Sequence, residues 1–218
     1  MNQEAQIVEK RKTGTTTLAI KCKDGVILAA DMRATMGNII ARGDFVKIEK
    51  ITDSMALTIA GVVSDIQLST KLIKAELKLK SLRSGQQVRV HEAAHYISGL
   101  VYNMIRNPYA PAIMHFLLGG YNNDGSTHIY DLSPGGEISE IKEYESSGSG
   151  SIFVYGVLDT HYKKDMSIKE ASELAIKAIS TAMRRDSASG NGIRVVSITK
   201  GNIKEETILK ETHELRAQ

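Results

Sequence analysis

The run Thr13-Gly14-Thr15-Thr16-Thr17-Leu18-Ala19-Ile20-Lys21-Cys22 sets a glycine and three threonines where a charge-rich leader gives way to an alternating strand pattern. A cut between Gly14 and Thr15 would leave a chain that starts with threonine, with a hydroxyl nucleophile and a free α-amine on one backbone unit. The reference pKa of such an amine is about 7.7–8.0, so a good part of it is neutral at physiological pH and can take the hydroxyl proton. An internal Thr15 has only an amide nitrogen there and cannot do this. Taken alone, the stretch also reads as the polar start of a strand behind a tail.

Other residues compete for a chemical role. His91-Glu92-Ala93-Ala94-His95 matches the zinc-protease helix motif, with histidines at i and i+4 on one face. That face continues as Ser98 and Tyr102, opposite an apolar stripe, and neither the H-x-x-G-x-x-H continuation nor another third ligand is evident. A chance match is the better reading, and a metalloprotease the weaker alternative. Lys47 stands between Val46 and Ile48. It either reaches solvent at an edge or is a buried ammonium beside a carboxylate, where it would lower the pKa of a neighbouring hydroxyl or amine. Asp31 is its natural counter-charge, because an unpaired buried ammonium is costly. Cys22 falls on the apolar face of its strand and reads as a small buried hydrophobe. Ser147 to Ser151 has the composition of a linker but is short, so a tight turn presenting Ser149 is at least as good a reading. Asp186 and Ser189 follow a helix, where an ordinary loop is the default.

The elements that carry these residues follow from periodicity. Strands are expected over 16–22 and 26–31 around the turn Lys23-Asp24-Gly25, with Cys22 opposite Val26, Ile20 opposite Leu28 and Leu18 opposite Ala30. That register puts Asp31 on the face of Thr15. A turn at Thr35-Met36-Gly37-Asn38 and strands over 45–51 and 55–60 come next. Ser64-Asp65-Ile66-Gln67 reads as a capping box opening a helix whose core stripe would be Leu68, Leu72, Ala75, Leu79 and Leu82. Ser84-Gly85 ends it, and Val90, Ala94, Ile97, Val101 and Met104 mark a second helix. Strands over 113–121, 127–131 and 137–144 precede a helix that Ser167-Ile168-Lys169-Glu170 would cap and that carries Ala171, Ala175, Ala178 and Ala182. A strand over 193–199 and a charged tail close the chain. Strands at both ends with helix pairs between predict an α+β fold of two stacked antiparallel sheets covered by helices.

Composition narrows the function. At 218 residues with 42% hydrophobic and 24% charged residues, the chain reads as one globular domain. The net charge is +3, with basic residues spread among acids, and there is no tryptophan, which disfavours nucleic acid as a partner. One cysteine rules out an internal disulfide and fits a reducing cytoplasm. The leader lacks a secretory core, and no run is long enough to cross a bilayer.

Taken as a set, Gly14-Thr15-Thr16-Thr17, Asp31-Met32-Arg33-Ala34-Thr35-Met36-Gly37, Lys47-Ile48, Ile59-Ala60-Gly61, Gly148-Ser149-Gly150-Ser151, Tyr155-Gly156-Val157-Leu158-Asp159 and Arg185-Asp186-Ser187-Ala188-Ser189-Gly190 resemble, in order and over nearly all of 13–200, the β subunits of the archaeal 20S proteasome. The resemblance implies the four-layer αββα fold of the N-terminal nucleophile hydrolases. It implies a propeptide, 1–14, removed by self-cleavage, and a single catalytic domain over 15–218. Thr15 would be the nucleophile, with Asp31 and Lys47 as the charged pair beside it and the Gly61 N–H as an oxyanion donor, such a donor being worth roughly 2.7–4 kcal/mol. Ser149, Asp186 and Ser189 would hold the Thr15 amine and its water, and the Thr35 backbone would pair with substrate. Ala34, Ile59 and Val63 match pocket positions and imply cleavage after hydrophobic residues. The family often has Ala-Gly-Ser-Val-Gly-Asp where this chain has Ala60-Gly61-Val62-Val63-Ser64-Asp65, which leaves the pocket wall open. No cofactor or metal is implied. The implied partners are β subunits in a heptameric ring, α subunits in an α7β7β7α7 barrel, an ATP-dependent unfolding cap and unfolded protein substrates, all in the cytoplasm. The bacterial two-ring relative shares the paired threonines and a Thr-x-Gly-Asn segment, but the Arg-Asp-Ser-Ala-Ser-Gly stretch favours the proteasome. A non-catalytic ring subunit is the alternative of a different class.

Overall fold

The computed structural model describes residues 14–108 and 111–209. Apart from Gly14, the expected propeptide lies outside the described residues, as does the chain beyond Leu209. In chain order the elements are β1 (Thr16–Lys21), β2 (Gly25–Asp31), β3 (Ala34–Met36), β4 (Ile39–Arg42), β5 (Ile48–Lys50), β6 (Met55–Thr58), β7 (Ala60–Gly61), α1 (Val63–Ser84) and α2 (Val90–Ile105). They continue with β8 (Met114–Tyr121), β9 (Thr127–Leu132), β10 (Ile138–Ile141), β11 (Tyr144–Gly148), α3 (Ser151–His161), α4 (Ile168–Arg185), β12 (Gly192–Thr199) and β13 (Asn202–Leu209).

Two antiparallel sheets result, one ordered β11-β1-β2-β12-β13 and one ordered β10-β9-β8-β6-β5, with β7 also paired to β8 and β3-β4 forming a separate ribbon. Three apolar cores separate four layers. Ala19, Leu28, Leu117 and Val196 pack between the sheets. Leu18, Ile27, Val154 and Ala178 pack between the first sheet and α3 and α4. Leu57, Phe116, Ile73 and Ile97 pack between the second sheet and α1 and α2. This is the expected αββα sandwich.

The β1–β2 hairpin pairs Thr17 with Ala30, Leu18 with Ala29, Ala19 with Leu28, Ile20 with Ile27 and Lys21 with Val26. That is one residue away from the register expected from apolar matching. The reason is that both faces of the hairpin are buried, one under helices and one under the other sheet, so apolar matching does not discriminate between registers. The loop decides: the Cys22 N–H donates to the Gly25 carbonyl at 2.9 Å. Continued outward, the register sets Asp31 across from Thr16 rather than on the face of Thr15.

Helix α1 is also turned from its expected face. Ile66, Ser69, Thr70, Ile73 and Leu77 are buried, whereas Leu68, Leu72, Leu79 and Leu82 are exposed at 54%, 42%, 38% and 68% and Ala75 faces out with them. Both stripes have helical spacing, and docking on the sheet chose the more polar one. Ser69 and Thr70 tolerate it because their hydroxyls donate to the carbonyls of Asp65 (2.6 Å) and Ile66 (2.8 Å). The capping box at Ser64 does not form: the N-cap is Val62, and Ser64 already lies in the first turn, where its hydroxyl donates to Asp65. The box at Ser167 does form, with Glu170, and Ala171, Ala175, Ala178 and Ala182 are the buried face of α4.

Three further expectations change. Only 48–50 of the strand expected over 45–51 pairs as a strand. The strand expected over 137–144 is two strands, β10 in one sheet and the start of β11 in the other. The charged segment after 199 contains β13, paired along the full length of β12. No described helix is long and apolar enough to cross a membrane.

Candidate active site

The start of β1 brings Thr15, Thr16 and Thr17 to the end of the first sheet. Thr15 is 5% exposed. Its hydroxyl donates to the Gly14 carbonyl at 2.7 Å, and its N–H donates to Ser149 Oγ at 3.3 Å. The Gly14 N–H in turn donates to Thr35 Oγ1 at 3.0 Å. The carbonyl that a self-cleaving threonine must attack therefore lies against the hydroxyl of that threonine.

Asp31 ends β2 and is fully buried. Its Oδ1 accepts from Lys47 Nζ at 2.7 Å and from the Thr16 N–H at 2.9 Å, while Oδ2 accepts from the N–H groups of Arg33 and Gly190, both at 3.0 Å. Charge-assisted bonds on both oxygens fix the carboxylate in place. Lys47 precedes β5, and its side chain is 2% exposed, so the buried reading of this lysine holds rather than the edge reading. Burial pushes its pKa below the usual lysine value, and the Asp31 charge and hydrogen bond pull it back up. Its Nζ also lies 3.4 Å from the Gly14 carbonyl oxygen.

The third group hangs from the end of α4. Asp186 is the C-cap of that helix. Its Oδ2 accepts from Ser149 Oγ at 2.7 Å and from Ser189 Oγ at 2.6 Å, and its Oδ1 accepts from the Ala188 N–H at 3.1 Å. Ser189 Oγ lies 2.6 Å from Thr16 Oγ1. Since the Ser189 hydroxyl hydrogen goes to the carboxylate, Thr16 is the donor in that pair. Close approach dictates the glycines beside Ser149. A Cβ on Gly148, whose φ is +94°, would sit 2.0 Å from the Thr15 carbonyl oxygen, and one on Gly150 would sit 2.0 Å from Thr16 Oγ1.

Ala34, Ile59 and Val63 line one small cavity of about 20 Å³, joined by Phe45 and Ile66, which sequence reasoning missed. Thr15, Thr35, Lys47 and Gly61 line the same cavity. Gly61 has φ +137°, and a Cβ there would lie 2.3 Å from the Ile113 carbonyl oxygen, so the turn from β7 requires glycine. Thr16, Arg33 and Gly190 were also missed. The only sequence signal for them was their place inside the Thr-Thr-Thr, Asp-Met-Arg and Ser-Gly stretches.

A family model for proteasome subunits matches residues 11–198. The chain belongs to the proteasome subunit family. It is 48% identical over 195 residues to the proteasome subunit beta of Ferroglobus placidus, an alignment covering 89% of this chain and 90% of that protein. It is 42% identical to the proteasome subunit beta of Methanocella paludicola (89% and 92% covered) and 41% identical to that of Methanococcus aeolicus (88% and 87% covered).

In this proteasome-family chain the His-Glu-x-x-His stretch has a structural use. Glu92 occupies N3 of α2 and closes a capping box with Arg89. Its carboxylate accepts from Arg89 at 2.8 Å and pairs with Lys80 at 3.2 Å. The His91 and His95 rings stand edge to face with centroids 6.5 Å apart. Among the described residues no group of three His, Cys, Asp or Glu side chains is placed to hold a metal ion.

Proposed function

We propose that this chain is a catalytic β-type proteasome subunit, a threonine endopeptidase that frees its own nucleophile and then hydrolyses unfolded proteins. One observation carries the reading: the Thr15 hydroxyl is 2.7 Å from the Gly14 carbonyl oxygen, beside a buried Asp31–Lys47 pair whose ammonium also reaches that oxygen.

In self-cleavage, Thr15 Oγ adds to the Gly14 carbonyl carbon. Lys47 Nζ, 3.4 Å from the oxygen, stabilises the charge that develops there. The C–N bond to Thr15 breaks, its nitrogen takes up the proton that leaves Oγ, and the acyl group rests on Oγ as an ester. Water hydrolyses that ester, giving a Gly14 carboxylate and a free Thr15 with hydroxyl and amine. Ser149, oriented by Asp186, already contacts the nitrogen that becomes the amine.

In turnover, the free amine takes the Oγ proton as Oγ attacks a substrate carbonyl, then returns it to the leaving amine. Water resolves the acyl-enzyme, with the amine again as base. Asp31 favours the cationic form of Lys47 beside the nucleophile, and the Gly61 N–H is the proposed oxyanion donor. Apolar Ala34, Ile59, Val63 and Phe45 favour a hydrophobic residue on the acyl side of the cut. The exposed leucines of α1 support burial of that face by a neighbouring subunit, in keeping with a heptameric ring stacked on α subunits in the cytoplasm and fed by an ATP-dependent unfolding cap.

The test is the intact mass and peptidase activity of the particle assembled with its α subunits. The expected result is a β chain lacking the first fourteen residues, against Thr15→Ala particles that are inactive and keep the bond after Gly14 intact. Active particles still carrying residue 1, or an active Thr15→Ala particle with no companion β subunit, would refute the reading. Inactive wild-type particles with an uncut chain would point to the non-catalytic ring subunit instead.

A further inference from the structure

The identity of Gly14 is set by a neighbour. A Cβ built on Gly14 would lie 1.7 Å from the Ala188 Cβ, 2.9 Å from the Ala188 Cα and 3.2 Å from its carbonyl oxygen. Ala188 cannot easily give way. Its own N–H is held by Asp186 at 3.1 Å, and the next residues are pinned to β2 by Gly190 N–H to Asp31 (3.0 Å) and Met32 N–H to the Gly190 carbonyl (3.1 Å). The Arg33 guanidinium ties the same loop down through the Ser187 carbonyl at 2.7 Å and Asn191 Oδ1 at 2.8 Å.

We propose that the methyl group of Ala188 selects glycine at the residue before the scissile bond, by filling the space in which any side chain there would have to stand. This rests on the self-cleavage reading above. Gly14 is constrained at three points: its N–H is gripped by the Thr35 hydroxyl, its carbonyl oxygen is gripped by Thr15 Oγ1 and Lys47 Nζ, and the place a Cβ would take is filled by Ala188. The first two grips are polar and tolerate any residue type, because they act on backbone atoms. Only the third reads the side chain. A methyl at position 14 has to displace either the pinned loop or its own peptide, and the peptide is the softer of the two. The carbonyl then leaves the Thr15 hydroxyl, and an attack geometry needing reacting atoms within about 3–3.5 Å is lost.

The test is a processing time course, read by intact mass on particles assembled with α subunits, for wild type, Gly14→Ala, Ala188→Gly and the double variant. Gly14→Ala is expected to assemble with the chain uncut, and Ala188→Gly alone to be cut. The double variant should be cut again, more slowly than wild type because the Cα of residue 188 still lies close to the added methyl. Gly14→Ala cut at the wild-type rate would overturn the proposal. So would a double variant as uncut as Gly14→Ala beside a normally cut Ala188→Gly, or an Ala188→Gly chain that fails to mature, since either outcome assigns position 188 to loop folding alone. Failure of self-cleavage itself would show separately, as an uncut wild type or a Thr15→Ala chain cut at Gly14.

Discussion

Thr16 Oγ1 lies 2.6 Å from Ser189 Oγ, and that contact links two polar groups through a single side chain. Through its N–H, Thr16 is bonded to the Asp31–Lys47 pair, and through its hydroxyl to Ser189, Asp186 and Ser149. The second threonine thus ties the acid–ammonium pair to the serines around the Thr15 nitrogen.

Thr16→Val keeps the shape and deletes the hydroxyl, so Ser189 loses a donor in a dry site. A loss of roughly 1–3 kcal/mol in stability is expected, together with slower self-cleavage, while Thr16→Ser keeps both near wild type. Melting of the assembled particle and a processing time course would check this. Equal behaviour of the Val and Ser variants would mean that the hydroxyl bridge carries nothing.

Removing one member of the buried Asp31–Lys47 pair should cost about 3–5 kcal/mol, because the other charge stays buried without its partner. Asp31→Asn also takes away the main charge that raises the Lys47 pKa, leaving the lowering by burial opposed only by the more weakly acting Asp186. Asp31→Asn/Lys47→Met should therefore be less destabilised than the sum of the two single variants, with activity lost in all three. Additive losses in denaturant unfolding would contradict the pairing.

Arg89, with Lys80, holds the Glu92 carboxyl well below the usual carboxylate range, from 4.5 to about 2. The folded form gives up this proton more readily than the unfolded chain. The stabilisation is thus complete above pH 4.5 and fades as pH falls from there toward 2. With Glu92 partly exposed, on the order of 1 kcal/mol is at stake. Glu92→Gln should melt earlier than wild type at pH 7, with the gap narrowing at pH 3 and peptidase activity retained. Activity that vanishes with this substitution, and on adding a chelator, would revive the metalloprotease alternative.

Leu72→Asp changes a residue that is 42% exposed in the single chain, so it should leave the fold of that chain intact. If another subunit covers the α1 stripe, the charge is buried on assembly, and sizing with α subunits should show fragments of the particle in place of the full one. Full-sized particles at wild-type yield would place the stripe on the outer surface.

The order of residue types along the chain determined which polar groups stand out: a threonine behind a glycine, an acid and a lysine among apolar residues, a Gly-Ser-Gly turn, and a helix ending in Arg-Asp. These were legible because short polar runs between apolar segments stand out whatever the fold. The layer count was legible too, since periodicity reports how many faces each segment must bury.

What periodicity does not report is which of two equally spaced faces is the buried one, or which of two registers is used when both faces of a hairpin are dry. Packing decided those, turning the leucines of α1 outward and setting Asp31 across from Thr16. It also decided every contact between residues far apart in sequence, from Thr16 on Ser189 to Ala188 against Gly14, because such contacts exist only once the loop after α4 has been folded back onto the start of β1.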